Sequence, residues 1–246
     1  MRPLPLLRVA TPASFASSFF APQAPCRFSP AHFSALLPAI KSWFTPDGTV
    51  DATHFSTVLT PSQLSTLVTV EATTATTFAR TSLPFGLLLR YLSQPTAPRN
   101  LPCLYLAQIA LLDQFPALRA SLPTPAIVTA AGRGDLYATN IWLGFAAAIE
   151  TPLHKDPNPN LFVQLAGRKR VRLFAPDRWR GGVGLGEGAM VGPEKGRVGA
   201  VVWEGGLDGF EVELGPGDGV FIPRGWWHAV RGSGEGVAGS ANWWFR

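Results

Sequence analysis

Cysteine is almost missing from this 246-residue chain, with only Cys26 and Cys103 present. Two thiols build neither a disulfide framework nor a zinc finger, and so few cysteines fit a reducing compartment. Histidine is scarce as well: His32, His54, His154 and His228 are the full set. Tyrosine occurs only at positions 91, 105 and 137. No apolar run is long enough to span a bilayer. The stretch 4–7 is too short and too interrupted by proline for a secretory hydrophobic region, so no membrane partner is expected. Acidic residues come late, the first being Asp47. The start is rich in Ala, Ser and Arg, as in transit peptides. The cytoplasm or nucleus is the expected compartment, and mitochondrial import stays open. No internal repeat is visible.

What is present describes a globular domain. Apolar residues make up 46% of the chain, enough for a core, and the length suits a single domain over 1–246. Net charge is +5, unevenly placed: residues 1–100 hold seven Lys or Arg against three acids, and the remainder holds 14 against 13. The basic residues of the first half are scattered without a run or stripe. They read as ordinary surface, with RNA as the lesser alternative. Six of the eight tryptophans, Trp142, Trp203, Trp226, Trp227, Trp243 and Trp244, are placed in the predicted barrel and read mainly as core and rim packing.

The first hundred residues read as mainly helical. Ser29-Pro30 suits an N-cap and first helical position, opening a helix over 32–44 that Pro38 should kink or split. Thr60-Pro61 starts a short helical turn ahead of a strand at 67–71. Further helices are expected at 84–92 and 113–121. Strands dominate after Tyr137. A hairpin is expected from 161–165 through a turn at 166–168 to 169–174, closed by Pro176. Gly215-Pro-Gly-Asp218 is a turn signal before the apolar run Gly219-Val-Phe-Ile-Pro223. The segment 181–239 holds 19 of the 25 glycines. Within it, residues 181–199 read as a loop between strands, either a cover for the substrate entrance or a variable insertion.

The chemistry-bearing residues lie in this half. In His154-Lys-Asp156 the first and third side chains of an extended strand share one face. His228, in Trp226-Trp-His228, supplies a third donor from a distant strand. Two imidazoles and one carboxylate form the facial triad of non-haem Fe(II) oxygenases. Trp226 shares the face of His228 and is expected to wall the iron pocket. In the strand at 169–174, Lys169, Val171 and Leu173 share a face opposite Arg170, Arg172 and Phe174. An inward ammonium is costly without a counter-charge, which a dicarboxylate ligand would supply. On the residues alone, a surface lysine in the basic run 168–172 remains the alternative. His32 and His54 have no ligand-like neighbours and read as structural or exposed.

At these residues the chain resembles the JmjC-type, cupin-like Fe(II)/2-oxoglutarate oxygenases. It is similar to their small hydroxylase branch, which includes the asparaginyl hydroxylase acting on hypoxia-inducible factor. The stretches that carry the resemblance are Leu104-Tyr-Leu-Ala-Gln108, Thr151-Pro-Leu-His-Lys-Asp156, Asn160-Leu-Phe-Val-Gln-Leu-Ala-Gly-Arg-Lys-Arg170, Pro216-Gly-Asp-Gly-Val-Phe-Ile-Pro223, Trp226-Trp-His228 and Asn242-Trp-Trp-Phe245. The resemblance implies a mainly β fold. A double-stranded β-helix (jelly-roll or cupin) core over 101–246 would be flanked by helices of an α-rich N-terminal region, residues 1–100.

The resemblance also implies roles. His154, Asp156 and His228 match the iron ligands. Lys169 matches the lysine that holds the distal carboxylate of 2-oxoglutarate, with Thr151 and Tyr105 as hydroxyl donors to it. Asn160 and Asn242 match polar residues near the other end of the co-substrate, and Asn140 matches a position lining the same pocket. Fe(II), 2-oxoglutarate and O₂ are the implied cofactors. The implied reaction hydroxylates a C–H bond with release of succinate and CO₂. A protein or peptide is the expected substrate. A tRNA-base hydroxylase, a histone lysine demethylase, a non-catalytic binding module and a plain metal cupin are the rival readings. The lack of a cysteine-rich reader module and the shortage of tyrosines to surround a methylammonium weigh against demethylation. Related hydroxylases often dimerise, so a homodimer is the expected assembly if the chain is not a monomer.

Overall fold

Alternation and apolar runs divide the β-rich half into strands that fill two facing sheets. The computed structural model describes residues 1–74, 76–177, 199–204 and 206–246. The glycine-rich stretch 181–199 lies outside these, apart from its last residue. Within the described residues the strands are β1 (Arg2–Pro3), β2 (Leu6–Leu7), β3 (Cys26–Phe28), β4 (Leu67–Thr73), β5 (Phe78–Pro84), β6 (Cys103–Ile109) and β7 (Leu136–Phe145). They continue with β8 (Glu150–Lys155), β9 (Asn160–Ala166), β10 (Arg168–Phe174), β11 (Phe210–Leu214), β12 (Gly219–Ile222), β13 (Trp227–Ser233) and β14 (Val237–Phe245). The minor sheet has the order β1-β11-β10-β13-β8, and the major sheet β2-β3-β12-β9-β14-β7-β6-β4-β5. This is the jelly-roll arrangement expected from the motifs, mainly β with helices on the outside.

The two sheets bury their facing surfaces differently. On β10 the burial alternates, with Lys169, Val171 and Leu173 inside and Arg168 and Arg170 exposed, because the outer face of the minor sheet carries charge. There Arg168 and Arg170 pair with Glu213, and Arg172 with Glu211. By contrast β9 is buried along its whole length and β14 nearly so, because the major sheet is covered on both faces. Its outer face packs on an aromatic core that includes Phe15, Trp43, Phe55, Phe85, Phe221, Trp243 and Phe245. Between the sheets lie Phe162, Val171, Leu173, Val220, Ile222 and Val230.

The first hundred residues are mixed rather than mainly helical. Helices at Pro12–Phe15, Ala39–Ser42, Ala52–Val58, Pro61–Leu64 and Phe85–Leu92 alternate with β1 to β5, which extend the edges of both sheets. The expected strand at 67–71 is β4. Its hairpin partner β5 escaped notice because six of its seven residues are exposed, leaving no alternation to read. Pro38 stands just before the helix Ala39–Ser42, so the expected helix over 32–44 begins only after it. Thr60 caps the helix Pro61–Leu64 in a reciprocal box with Gln63. Pro116 breaks the expected 113–121 helix, leaving Leu111–Gln114 and a 3₁₀ turn at Pro116–Ala120.

The expected hairpin over 161–174 is the main correction. β9 pairs with β12 and β14 in the major sheet, whereas β10 pairs with β11 and β13 in the minor one. Gly167 turns the chain between the sheets with a φ of +61°, and a Cβ there would sit 2.3 Å from the Val237 carbonyl oxygen. Only glycine fits such a corner without strain.

Candidate active site

His154 in β8 and His228 in β13 are direct cross-strand partners, and their ring centres are 4.1 Å apart. Asp156 follows β8 at once. Its Oδ1 lies 3.9 Å from His154 Nε2 and its Oδ2 lies 3.6 Å from His228 Nε2. One donor atom from each of the three falls within 4.8 Å of the others, the one such group found among the described residues.

Each ring is held by its own backbone. His154 Nδ1 lies 2.8 Å from the Pro152 carbonyl oxygen, and His228 Nδ1 lies 3.1 Å from that of Trp226. A carbonyl only accepts, so each Nδ1 carries the hydrogen and each Nε2 lone pair is free for a metal. Burial, with His154 adding to it, pushes the His228 pKa down to about 4, against the opposing pull of Asp156. His228 is therefore a neutral imidazole at neutral pH, as metal binding requires. Asp156 is 6% exposed. Its Oδ2 accepts hydrogen bonds from Asn160 Nδ2 at 2.8 Å and Trp244 Nε1 at 3.2 Å. Among the described residues no Lys or Arg pairs with it, and the titratable groups beside it are the two histidines. A buried carboxylate facing two imidazole lone pairs, with no Lys or Arg beside it, fits a divalent transition metal.

Lys169 points inward from β10 and is 1% exposed. Its Nζ donates to Ser240 Oγ at 2.7 Å and to Tyr105 Oη at 3.3 Å. Nζ also stands 5.5 Å from the Tyr105 ring centre and 5.6 Å from that of Phe162. No carboxylate among the described residues pairs with it, and burial pushes its pKa down to about 7. The surface alternative for this lysine is thereby excluded. Burial, and then the charge of Glu71, raises the Tyr105 hydroxyl above its ordinary range, opposed by a hydrogen bond with Thr151. Tyr105 therefore stays a neutral hydroxyl.

One cavity joins the two clusters. Its lining includes Tyr105, Thr151 and Lys169, then His154, Asp156 and His228, with apolar walls from Phe162, Ile222 and Val230. The register explains why. Lys169 faces Gly232 and Leu173 faces His228, so lysine and histidine are four residues apart along β13, roughly 13 Å at the strand rise. A β-bulge completes the set. His228 pairs with His154, but Val230 pairs with Thr151, so β8 advances three residues where β13 advances two. Without that extra residue Thr151 would face away from His154. Pro152 sits inside the bulge, where a missing N–H costs the ladder little.

The other expected residues are placed as follows. Asn160 and Asn242 line the cavity. Asn242 Oδ1 accepts from Trp142 Nε1 at 2.7 Å, while Asn160 Oδ1 and Asn242 Nδ2 are buried without a protein partner. Asn140 is buried and faces Asn242 across β7 and β14, but it is not among the residues that line the cavity. Trp226 does not wall the pocket. It precedes β13 in a turn, its N–H bonded to the Pro223 oxygen at 3.2 Å, so strand alternation does not reach it. Its ring lines a separate cleft with Arg2, Asp177 and Phe210. It supports the site through its carbonyl and by packing on the apolar cluster between the sheets. His32 stacks on Phe28 and meets Phe33 edge-on, and His54 meets Phe55 edge-on, apart from the triad.

Four lining or supporting residues were not singled out from sequence: Gln108, Trp142, Ser240 and Trp244. Ser240, Asn242 and Trp244 alternate along β14, so placing Asn242 inward would have placed the other two. Gln108 sits at the mouth with a φ of +54°, at a register shift between β6 and β7.

A double-stranded β-helix with a His-Asp-His group inside it defines a class, and comparison with known proteins agrees. The family model described as "Cupin-like domain" matches residues 12–181 and 206–246. The chain belongs to this family, within the JmjC-type cupin superfamily. It is 32% identical over 152 residues to Jumonji C domain-containing protein 5 of Drosophila melanogaster, covering 57% of this chain and 36% of that protein. It is 38% identical over 74 residues to lysine-specific demethylase 8 of Danio rerio, covering 30% of this chain and 18% of that protein. With lysine-specific demethylase JMJ31 of Arabidopsis thaliana it shares 27% identity over 205 residues, 68% of this chain and 36% of the other. The chain thus matches about a third or less of the length of these relatives. The solved structure of E. coli ycfD superposes with a TM-score of 0.50 at 14% identity, over 96% of this chain and 53% of that one, a likeness of fold.

Proposed function

We propose that the protein is an Fe(II)- and 2-oxoglutarate-dependent oxygenase that hydroxylates a protein side chain. The observation that carries this reading is a single inward face. β8, β13 and β10 present the His-Asp-His group and, farther along, a buried ammonium that has no carboxylate beside it among the described residues. A ligand with a metal-chelating end and a distal carboxylate satisfies both needs at once.

His154, Asp156 and His228 would hold the metal through Nε2, a carboxylate oxygen and Nε2. Lys169 would bind the distal carboxylate of the keto acid, with Tyr105 and Thr151 as neutral hydroxyl partners. Asn160 and Asn242 each bring a buried, unpartnered polar atom to the cavity and would face the remaining polar groups of the co-substrate. Iron with 2-oxoglutarate and O₂ supplies oxidative decarboxylation to succinate and CO₂, coupled to hydroxylation of a C–H bond. Phe162, Ile222 and Val230 keep water from the enclosed end of the site.

The names of the relatives support a second reading, lysine demethylation. Both outcomes begin with a C–H hydroxylation, so the products separate them. A peptide that gains one oxygen atom reports stable hydroxylation. Loss of a methylene with release of formaldehyde reports demethylation of an N-methyl group. Succinate formed only with tRNA would favour the nucleic-acid reading. The primary test is anaerobic titration with Fe(II) and 2-oxoglutarate, where bidentate chelation gives a weak visible charge-transfer band. Absence of that band, together with no succinate in air, would leave a binding module.

A further inference from the structure

The carboxylate arm of the triad is held from outside its own sheet. Asp156 directly follows β8 of the minor sheet, but both donors to its Oδ2 come from the major sheet. These are Asn160 on β9 and Trp244 on β14, which are direct cross-strand partners. Asp156 thus ties the two sheets together at the metal end of the cavity. A carboxylate oxygen has about two lone-pair sites, and these two donors take up both on Oδ2. No hydrogen bond from a described residue reaches Oδ1, which faces His154 Nε2 at 3.9 Å, while Oδ2, already bonded twice, stands 3.6 Å from His228 Nε2.

We infer that Trp244 is a positioning residue for the metal site, and the inference rests on the reading of that site given above. With the Asn160 amide, its indole N–H fixes the rotation of the Asp156 carboxylate and leaves Oδ1 as the oxygen with uncommitted lone pairs for a divalent cation. Asp156 is then a one-oxygen ligand, and the remaining coordination positions stay free. The indole also fills space beside the site, where it lines the cavity, so packing must be separated from hydrogen bonding. Trp244→Phe does this, keeping an aromatic ring and removing the N–H.

The test is anaerobic titration of the full-length protein with Co(II), read by visible d–d absorption and by calorimetry. Trp244→Phe should bind Co(II) roughly 10–100-fold more weakly than the wild type, the usual effect of losing an outer partner of a ligand. Its d–d bands should also lose molar absorbance, as the second carboxylate oxygen joins and the coordination number rises. Equal affinity with an unchanged spectrum would overturn the inference while leaving the metal site intact. A wild-type protein that binds no Co(II) would overturn the metal site itself. If circular dichroism shows the variant unfolded, ¹⁵N-indole NMR of the wild type decides. The Co(II)-shifted indole N–H nearest the metal should exchange more slowly with solvent in the Zn(II)-loaded protein than in the metal-free one. An exchange rate indifferent to metal would count against it.

Discussion

His154 and His228 face each other across β8 and β13 with ring centres 4.1 Å apart, and each donates its Nδ1 hydrogen to the carbonyl two residues before it. Local backbone therefore sets both ring orientations before any ion arrives, so the donor set is preorganised. Alanine at His154, Asp156 or His228 should abolish succinate formation and remove the high-affinity Co(II) titration while the circular dichroism spectrum is kept. A variant that retained wild-type metal affinity would remove that residue from the donor set.

Lys169 tests the other end of the cavity. Lys169→Ala should raise the 2-oxoglutarate concentration needed for half-maximal succinate production by roughly 10–100-fold. That range corresponds to a charged hydrogen bond of about 1.5–3 kcal/mol. Metal affinity should stay at the wild-type level. Unchanged co-substrate dependence would place the keto acid elsewhere.

The same lysine predicts a pH effect on the co-substrate-free protein. Its folded pKa, about 7, lies below the ordinary 10.5. For a base with a depressed folded pKa, the cost is fully present below the folded value and fades as pH rises toward the unfolded one. Stability should therefore increase between pH 7 and 9 by about 2 kcal/mol from this group. The raised Tyr105 acts above that window, whereas the buried Cys26 thiol, which ionises in the unfolded chain near pH 9, opposes the rise at its upper end in wild type and variant alike. Urea midpoints across it should show the rise in the wild type and lack it in Lys169→Met. A Lys169→Met protein with the same slope would assign the effect to other groups.

Gly167 carries a prediction about the fold. Gly167→Ala combines a left-handed backbone with a Cβ 2.3 Å from the Val237 oxygen. The substitution should cost about 2–4 kcal/mol by chemical denaturation. A loss below about 0.5 kcal/mol, the usual scatter for an inconsequential substitution, would mean that the corner relaxes freely.

The triad and the lysine were legible because both depend on side-chain alternation, which a single strand displays by itself. His154 and Asp156 are two apart, and Lys169 keeps company with Val171 and Leu173. What was hidden depends on which strands meet. The run 160–174 has the pattern of a hairpin, yet Gly167 sends its two halves into different sheets. Thr151 is three residues from His154, an odd spacing that alternation assigns to the wrong face, and only the bulge in β8 reconciles them. Trp226 has the right parity but lies in a turn, where parity has no meaning. Trp244 and Ser240 become readable only after β14 is known to lie beside β9.

The corner at Gly167 has a consequence for selectivity. Ten residues of continuous chain carry Asn160, which bonds the Asp156 carboxylate, at one end and Lys169 at the other. The gap between the two anchoring points is therefore gauged by covalent backbone in two strands, each paired within its own sheet, joined by the corner at Gly167. On the proposed binding of 2-oxoglutarate, a keto diacid one carbon longer, 2-oxoadipate, would press on strand-held residues at both ends. It should fail to support turnover at concentrations that saturate with 2-oxoglutarate.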